Sequence, residues 1–205
     1  MDTKKKTVGA AERDEPRRLI WHQVVRKRDA RHLLFVDETG SNTSMTQRYA
    51  RSLRGTRAHG LVPRNHGKNV TLVAGLSLTG IVAPMTVDGA MDTPAFETYV
   101  EHILAPALTP GTLVILDNLA VHHKAAIRAI IEARDCRLLF LPPYSPDLTP
   151  IELAFSKIKT ALRRTAARTR GALNDALAAA IDTITVQDAR GYFHHCGYHS
   201  PAQLL

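Results

Sequence analysis

Five short apolar runs punctuate the chain, and polar or helically spaced stretches separate them. His32-Leu33-Leu34-Phe35-Val36 predicts a buried strand. Gly40 to Ser44 is loop chemistry. Asn69 to Ser77 reads as a strand, Leu78-Thr79-Gly80 as a turn, and Ile81 to Val87 as a returning strand, which together make a hairpin. Thr93 as N-cap with Pro94 at the first helical position opens a helix. That helix carries Phe96, Val100, Ile103 and Leu104 on one face and ends before Pro110-Gly111. Thr112 to Leu116 is the clearest buried strand; a helix from about Val121 to Ala133 and a strand from Arg137 to Leu141 follow. Pro142-Pro143-Tyr144-Ser145-Pro146 is a rigid loop, because proline fixes φ and disfavours helix before it. Helices are predicted from Pro150 to about Ala166, from Gly171 to about Thr183 and from Gln187 to Phe193.

Strands alternating with helices imply a layered α/β sheet with a parallel part, and the early hairpin makes that sheet mixed. Residues 1–30 are polar apart from Ile20, Trp21, Val24 and Val25. They read as a basic arm or linker ending in a short helix, with Trp21 as its anchor. The domain proper is expected over 31–195, with a C-terminal tail over 196–205.

Composition narrows the class. The 205 residues suit one compact domain with an arm. Two cysteines, Cys136 and Cys196, exclude a disulfide framework and a CxxC zinc site. No apolar run reaches the roughly 18 residues of a membrane helix. The net charge of +8 points to a polyanionic partner, nucleic acid before an anionic membrane. That charge is unevenly spread. No acid occurs between Thr39 and Val87, where Arg48, Arg51, Arg54, Arg57, Arg64 and Lys68 fall. None occurs between Leu153 and Asn174, where Lys157, Lys159, Arg163, Arg164, Arg168 and Arg170 fall. Acid-free blocks suit phosphate-contacting surfaces; solvated faces are the alternative. On the helix from Pro150, Ile151, Phe155, Ile158 and Leu162 form the packing stripe, leaving Lys157, Lys159, Arg163 and Arg164 off it.

Two apolar strands end in an acid, at Asp37 and at Asp117. Ligands of open α/β sheets bind beyond the carboxyl ends of strands, so neighbouring parallel strands would bring these two side by side. Paired bare carboxylates repel, and a hard divalent cation removes that cost. Each Asp could equally be a turn residue. Glu38 is a rival to Asp37, but alternation lets only one of them face the site. The third acid, Glu152, also fits a capping box with Thr149. Asp147 is its alternative as a ligand, or bonds its own turn.

Three segments follow one another in order: Phe35-Val36-Asp37-Glu38-Thr39-Gly40, Leu116-Asp117-Asn118-Leu119-Ala120-Val121-His122, and Leu141-Pro142-Pro143-Tyr144-Ser145-Pro146-Asp147-Leu148-Thr149-Pro150-Ile151-Glu152. With 34 residues between Asp117 and Glu152, the pattern resembles the DDE transposases of bacterial insertion sequences related to the mariner superfamily. The likeness covers about 31 to 195. It implies an RNase H-like fold, a mixed central β-sheet flanked by α-helices. It implies that Asp37, Asp117 and Glu152 are catalytic and hold two Mg²⁺ ions, for which Mn²⁺ can substitute. Asn118 and His122 would support the acids, with His122 also within reach of substrate phosphate. The implied activity is cleavage at element ends and joining of 3′-hydroxyl ends to target DNA. An RNase H-like nuclease without strand transfer, or a non-catalytic DNA-binding protein derived from a mobile element, is the alternative. The implied partners are double-stranded DNA, a second copy in a homodimer or higher assembly, and an upstream-encoded helix-turn-helix segment. The implied location is the bacterial cytoplasm, at the nucleoid. Two departures stand out: Thr149 where the family often has Asn, and His123 where it often has Lys.

Overall fold

The computed structural model of the chain describes residues 12–47, 49–119 and 122–200. Five strands make one sheet: β1 (Leu33–Ser41), β2 (Val70–Ser77), β3 (Gly80–Asp88), β4 (Leu113–Leu116) and β5 (Arg137–Phe140). Their order is β3-β2-β1-β4-β5. The β2/β3 hairpin and the β1/β2 pair are antiparallel, while β1, β4 and β5 run parallel. The mixed sheet is therefore the expected one.

Alternation along the strands sorts the core into two layers. On one face Leu33, Phe35, Leu113 and Ile115 pack with α5 (Ile151–Thr165), α6 (Arg170–Asp182) and α7 (Val186–His195). On the other, Leu34, Val36, Val114 and Leu116 pack with α2 (Thr93–Tyr99) and α4 (Ala125–Glu132). Between these last two helices the chain continues through a π turn, Val100–Leu104, into the short α3 (Ala105–Ala107). No helix among the described residues is long and apolar enough to cross a membrane.

Several boundaries differ from expectation. β1 does not end at Asp37: it runs on to Ser41, because β2 still pairs with it after β4 has stopped. Gly40 and Ser41 are strand, not loop. Asp92, not Thr93, caps α2, its carboxylate accepting from the Ala95 N–H at 2.9 Å. Ile103 is exposed, and Tyr99 takes its place in the core. The π turn explains this, since i→i+5 bonding widens the turn and rotates the face. Regular helix before β5 begins only at Ala125. At α5, Thr149 makes no capping bond. A 3₁₀ turn over Pro146–Leu148 leads into the helix, and the Glu152 N–H bonds the Thr149 carbonyl at 3.3 Å. The carboxylate of Glu152 is thereby left for other work.

Packing also continues past both expected domain edges. Helix α1 (Glu15–Val24) buries Trp21 in the sheet–α5 core, along with Val25 and Ala30 that follow it. Cys196 and Tyr198 lie in the same core. The Trp21 Nε1–H donates to Tyr198 Oη (2.8 Å), and that hydroxyl donates to the Leu148 carbonyl (2.7 Å).

Candidate active site

β1 and β4 pair in the register Leu33↔Leu113, Leu34↔Val114, Phe35↔Ile115. Continuing that register by two residues sets Asp37 of β1 level with Asp117, which lies just past the end of β4. Both share parity with the side chains facing α5, so both carboxylates belong to that face. Glu152 is the second residue of α5, which packs there through Ile151, Phe155 and Ile158. All three acids line one cleft of about 430 Å³. Its walls include Asn118, Leu119 and the loop from Leu141 to Pro146. Tyr144 in that loop is exposed and held at φ 52°, in the left-handed region.

The electrostatics follow from this convergence. Burial pushes Asp37 up to about 7, and the charges of Glu152, Asp117 and Glu38 add to the shift. The Glu38 N–H opposes it by donating to Asp37 Oδ1 at 2.7 Å. Asp117 Oδ1 accepts from the Leu119 N–H (3.1 Å) and from His122 Nδ1 (2.6 Å). Asp37 Oδ2, Asp117 Oδ2 and both Glu152 oxygens have no hydrogen-bond partner among the described residues. The donor set therefore suits hard divalent cations: oxygen ligands, surplus negative charge and unused lone pairs in one cleft. Among the described residues, no three acidic, histidine or cysteine side chains stand close enough together to form a ready-made metal cluster.

His122 is buried rather than open to solvent. Its side chain is 1% exposed, its ring lies 4.3 Å from that of Phe96, and its Nε2 meets Glu38 Oε1 at 3.1 Å. Burial opposes its charge, but the hydrogen bonds and charges of Asp117 and Glu38 outweigh it and raise the imidazole to about 9. Glu38 thus points away from Asp37 and serves neither as its rival nor as its neighbour in the cleft. Asn118 lines the cleft, and its Oδ1 meets the His123 ring (2.7 Å), which stacks on Phe140 at 3.9 Å. Asp147 does not line the cleft with the acids; as expected it is held within its own turn, by its own backbone N–H, and it also has a distant partner. It takes both terminal nitrogens of Arg18, at 3.0 and 2.6 Å, from a side chain only 4% exposed. Burial pushes the Asp147 carboxyl up, but Arg18 holds it below the usual carboxylate range. Nothing in the local sequence announces a partner 129 positions away.

The basic residues are scattered by comparison. Arg51, Arg54, Arg57 and Lys68 are exposed on the long connection between β1 and β2; Arg48 lies outside the described residues. Lys157 is engaged within the fold, donating to Asp188 (2.6 Å) and to the Thr183 carbonyl (2.9 Å). Lys159, Arg163 and Arg164 follow α5 away from the cleft. The helical rise puts Lys159 about 10 Å and Arg163 about 16 Å from Glu152 along the axis.

A mixed sheet with helices on both faces, and acids at neighbouring strands and at a helix start, is an RNase H-like arrangement. The chain belongs to the DDE superfamily endonuclease family, whose profile matches residues 32–174. Among solved structures, it resembles a pre-cleavage Mos1 transpososome, with TM-score 0.77 and 16% identity over 96% of this chain and 64% of that one. A mariner Mos1 paired end complex with Mg matches with TM-score 0.70 and 18% identity, covering 96% of this chain and 64% of that one. The catalytic domain of Mos1 mariner transposase matches with TM-score 0.62 and 13% identity, covering 88% and 84%. At such identities the likeness is one of fold. The chain spans about 64% of the length of the chains in the first two complexes. No curated protein matches it in sequence.

Proposed function

We propose that the chain is the catalytic portion of a DNA transposase, cutting phosphodiester bonds at element ends and joining the freed 3′-hydroxyls to target DNA. The observation that carries this reading is the convergence of Asp37, Asp117 and Glu152 on one cleft of an RNase H-like fold. These three carboxylates would hold two Mg²⁺ ions. When bound, such a pair supplies an activated attacking oxygen and neutralises the leaving one. The residues of the chain supply position. The Glu38 N–H orients Asp37, the Leu119 N–H and His122 orient Asp117, and the Arg18–Asp147 pair fixes the turn that delivers Glu152. Lys68, Arg51, Arg54, Arg57, Lys159, Arg163 and Arg164 would hold duplex phosphates. DNA ends are the partner, and pairing two of them calls for at least two copies of the chain.

The deciding experiment is Asp117→Asn assayed with Mg²⁺ on double-stranded DNA and on pre-cut ends. Cleavage and joining should fall by several orders of magnitude while DNA affinity stays within about twofold, because the substitution removes a ligand charge and no phosphate contact. Cleavage at the parental rate would refute the site. Hydrolysed ends without joined products in the parent would assign simple nuclease activity instead.

A further inference from the structure

We infer that Glu38 is a positioning residue for Asp117, acting through His122 across the thickness of the sheet. This rests on the metal-dependent reading above and adds a residue on the far side of the sheet to it. β4 ends at Leu116, so no strand hydrogen bond reaches Asp117, and its carboxylate depends on what it touches. It touches His122 Nδ1 (2.6 Å) and the Leu119 N–H (3.1 Å), both on Oδ1. An imidazole held by one nitrogen can still tilt about its own bond to Asp117. Glu38 removes that freedom by meeting Nε2 at 3.1 Å.

Glu38 is itself well placed to be the fixed end. It sits inside β1, paired opposite Val73 of β2. Its parity turns it away from the cleft, towards the layer of Phe96 and Tyr99, where its side chain is 15% exposed. Phe96, fully buried, closes one side of the His122 ring. The brace commits Asp117 Oδ1 to the protein and leaves Oδ2 to the cleft. It therefore sets which oxygen the second acid offers and in what direction. Partners of this kind, one bond removed from a ligand, commonly change metal affinity by 10–100-fold when lost.

The test compares two substitutions of similar volume in the whole chain, with Mn²⁺ alone as the probe, read by electron paramagnetic resonance or calorimetry. Glu38→Met removes the acceptor and should weaken Mn²⁺ about 10–100-fold. Glu38→Gln keeps an oxygen for His122 and should stay within about threefold of the parent, a rescue that loss of packing alone would not show. Glu38→Ala serves as a second acceptor-less variant should Met strain the site. DNA affinity and melting temperature are recorded in parallel. Parental Mn²⁺ affinity in a folded Glu38→Met or Glu38→Ala refutes the brace. Asp117→Asn separates the two claims. If it loses Mn²⁺ while the Glu38 variants do not, the brace alone falls. If it binds Mn²⁺ like the parent, the carboxylate reading falls and takes the brace with it.

Discussion

The hydroxyl of Tyr198 is the hinge of a small buried network. It accepts from Trp21 on α1 and donates to the Leu148 carbonyl, four residues before Glu152. Tyr198→Phe would leave an indole N–H and a carbonyl buried without partners, and each such group costs about 1–3 kcal/mol. The expected loss is about 2 kcal/mol in denaturant unfolding; a change below about 0.5 kcal/mol would show that the network does not hold the turn. At this scale the sequence was legible where chemistry is local. Asp37 and Asp117 stand out as acids after apolar strands, and alternation correctly allowed only one of Asp37 and Glu38 into the cleft. The pairings Arg18–Asp147, Glu38–His122 and Trp21–Tyr198 were not legible, because each joins residues distant in sequence and has no periodic signature.

Among the elements, α5 carries the third acid, and α7 steadies it. Lys157 of α5 bonds Asp188, which also closes the capping box of α7 with Thr185. The Lys157 hydrogen bond first, then those from Thr185, lower Asp188 from 3.8 to about 2. A carboxyl depressed on folding stabilises the fold above its unfolded pKa and loses that contribution as pH falls through its folded one. Melting temperature should therefore decline between about pH 4 and pH 2, and Asp188→Asn should flatten that part of the profile. An unaltered acid limb in the variant would exclude this pair as its source. Helix positions were largely readable from apolar spacing, but ends and irregular turns were not. α5 starts after Pro150 without a side-chain cap because its first N–H groups, of Glu152 and Leu153, bond the Thr149 and Pro150 carbonyls instead, and the π turn after α2 moves Ile103 outward. Both are backbone solutions that side-chain patterns do not encode.

For the whole molecule, a net charge of +8 coexists with a cleft lined by three acids, so under the proposed function phosphate contacts and chemistry belong to different surfaces. DNA affinity should fall steeply with salt, log K losing about 0.9 per tenfold rise in salt for each phosphate neutralised. A slope near zero would remove the exposed arginines and lysines from the account. The overall architecture was the most legible level, since the order of strands and helices already implied a mixed, layered sheet. The extent of the fold was less so: Trp21 was readable as an anchor, but the polar stretch around it did not reveal that the anchor sits in the central core.

The unequal mounting of the three acids has a mechanical consequence. Asp37 rides in mid-strand, laddered to Ala74 beside it, whereas Asp117 hangs just past a strand terminus and Glu152 at the first turn of a helix. Asp117 is nevertheless tied back to β1 through His122 and Glu38, so two of the three jaws share one strand as their datum. Any tightening around a guest in the cleft would come from the α5 side, which alone carries Glu152.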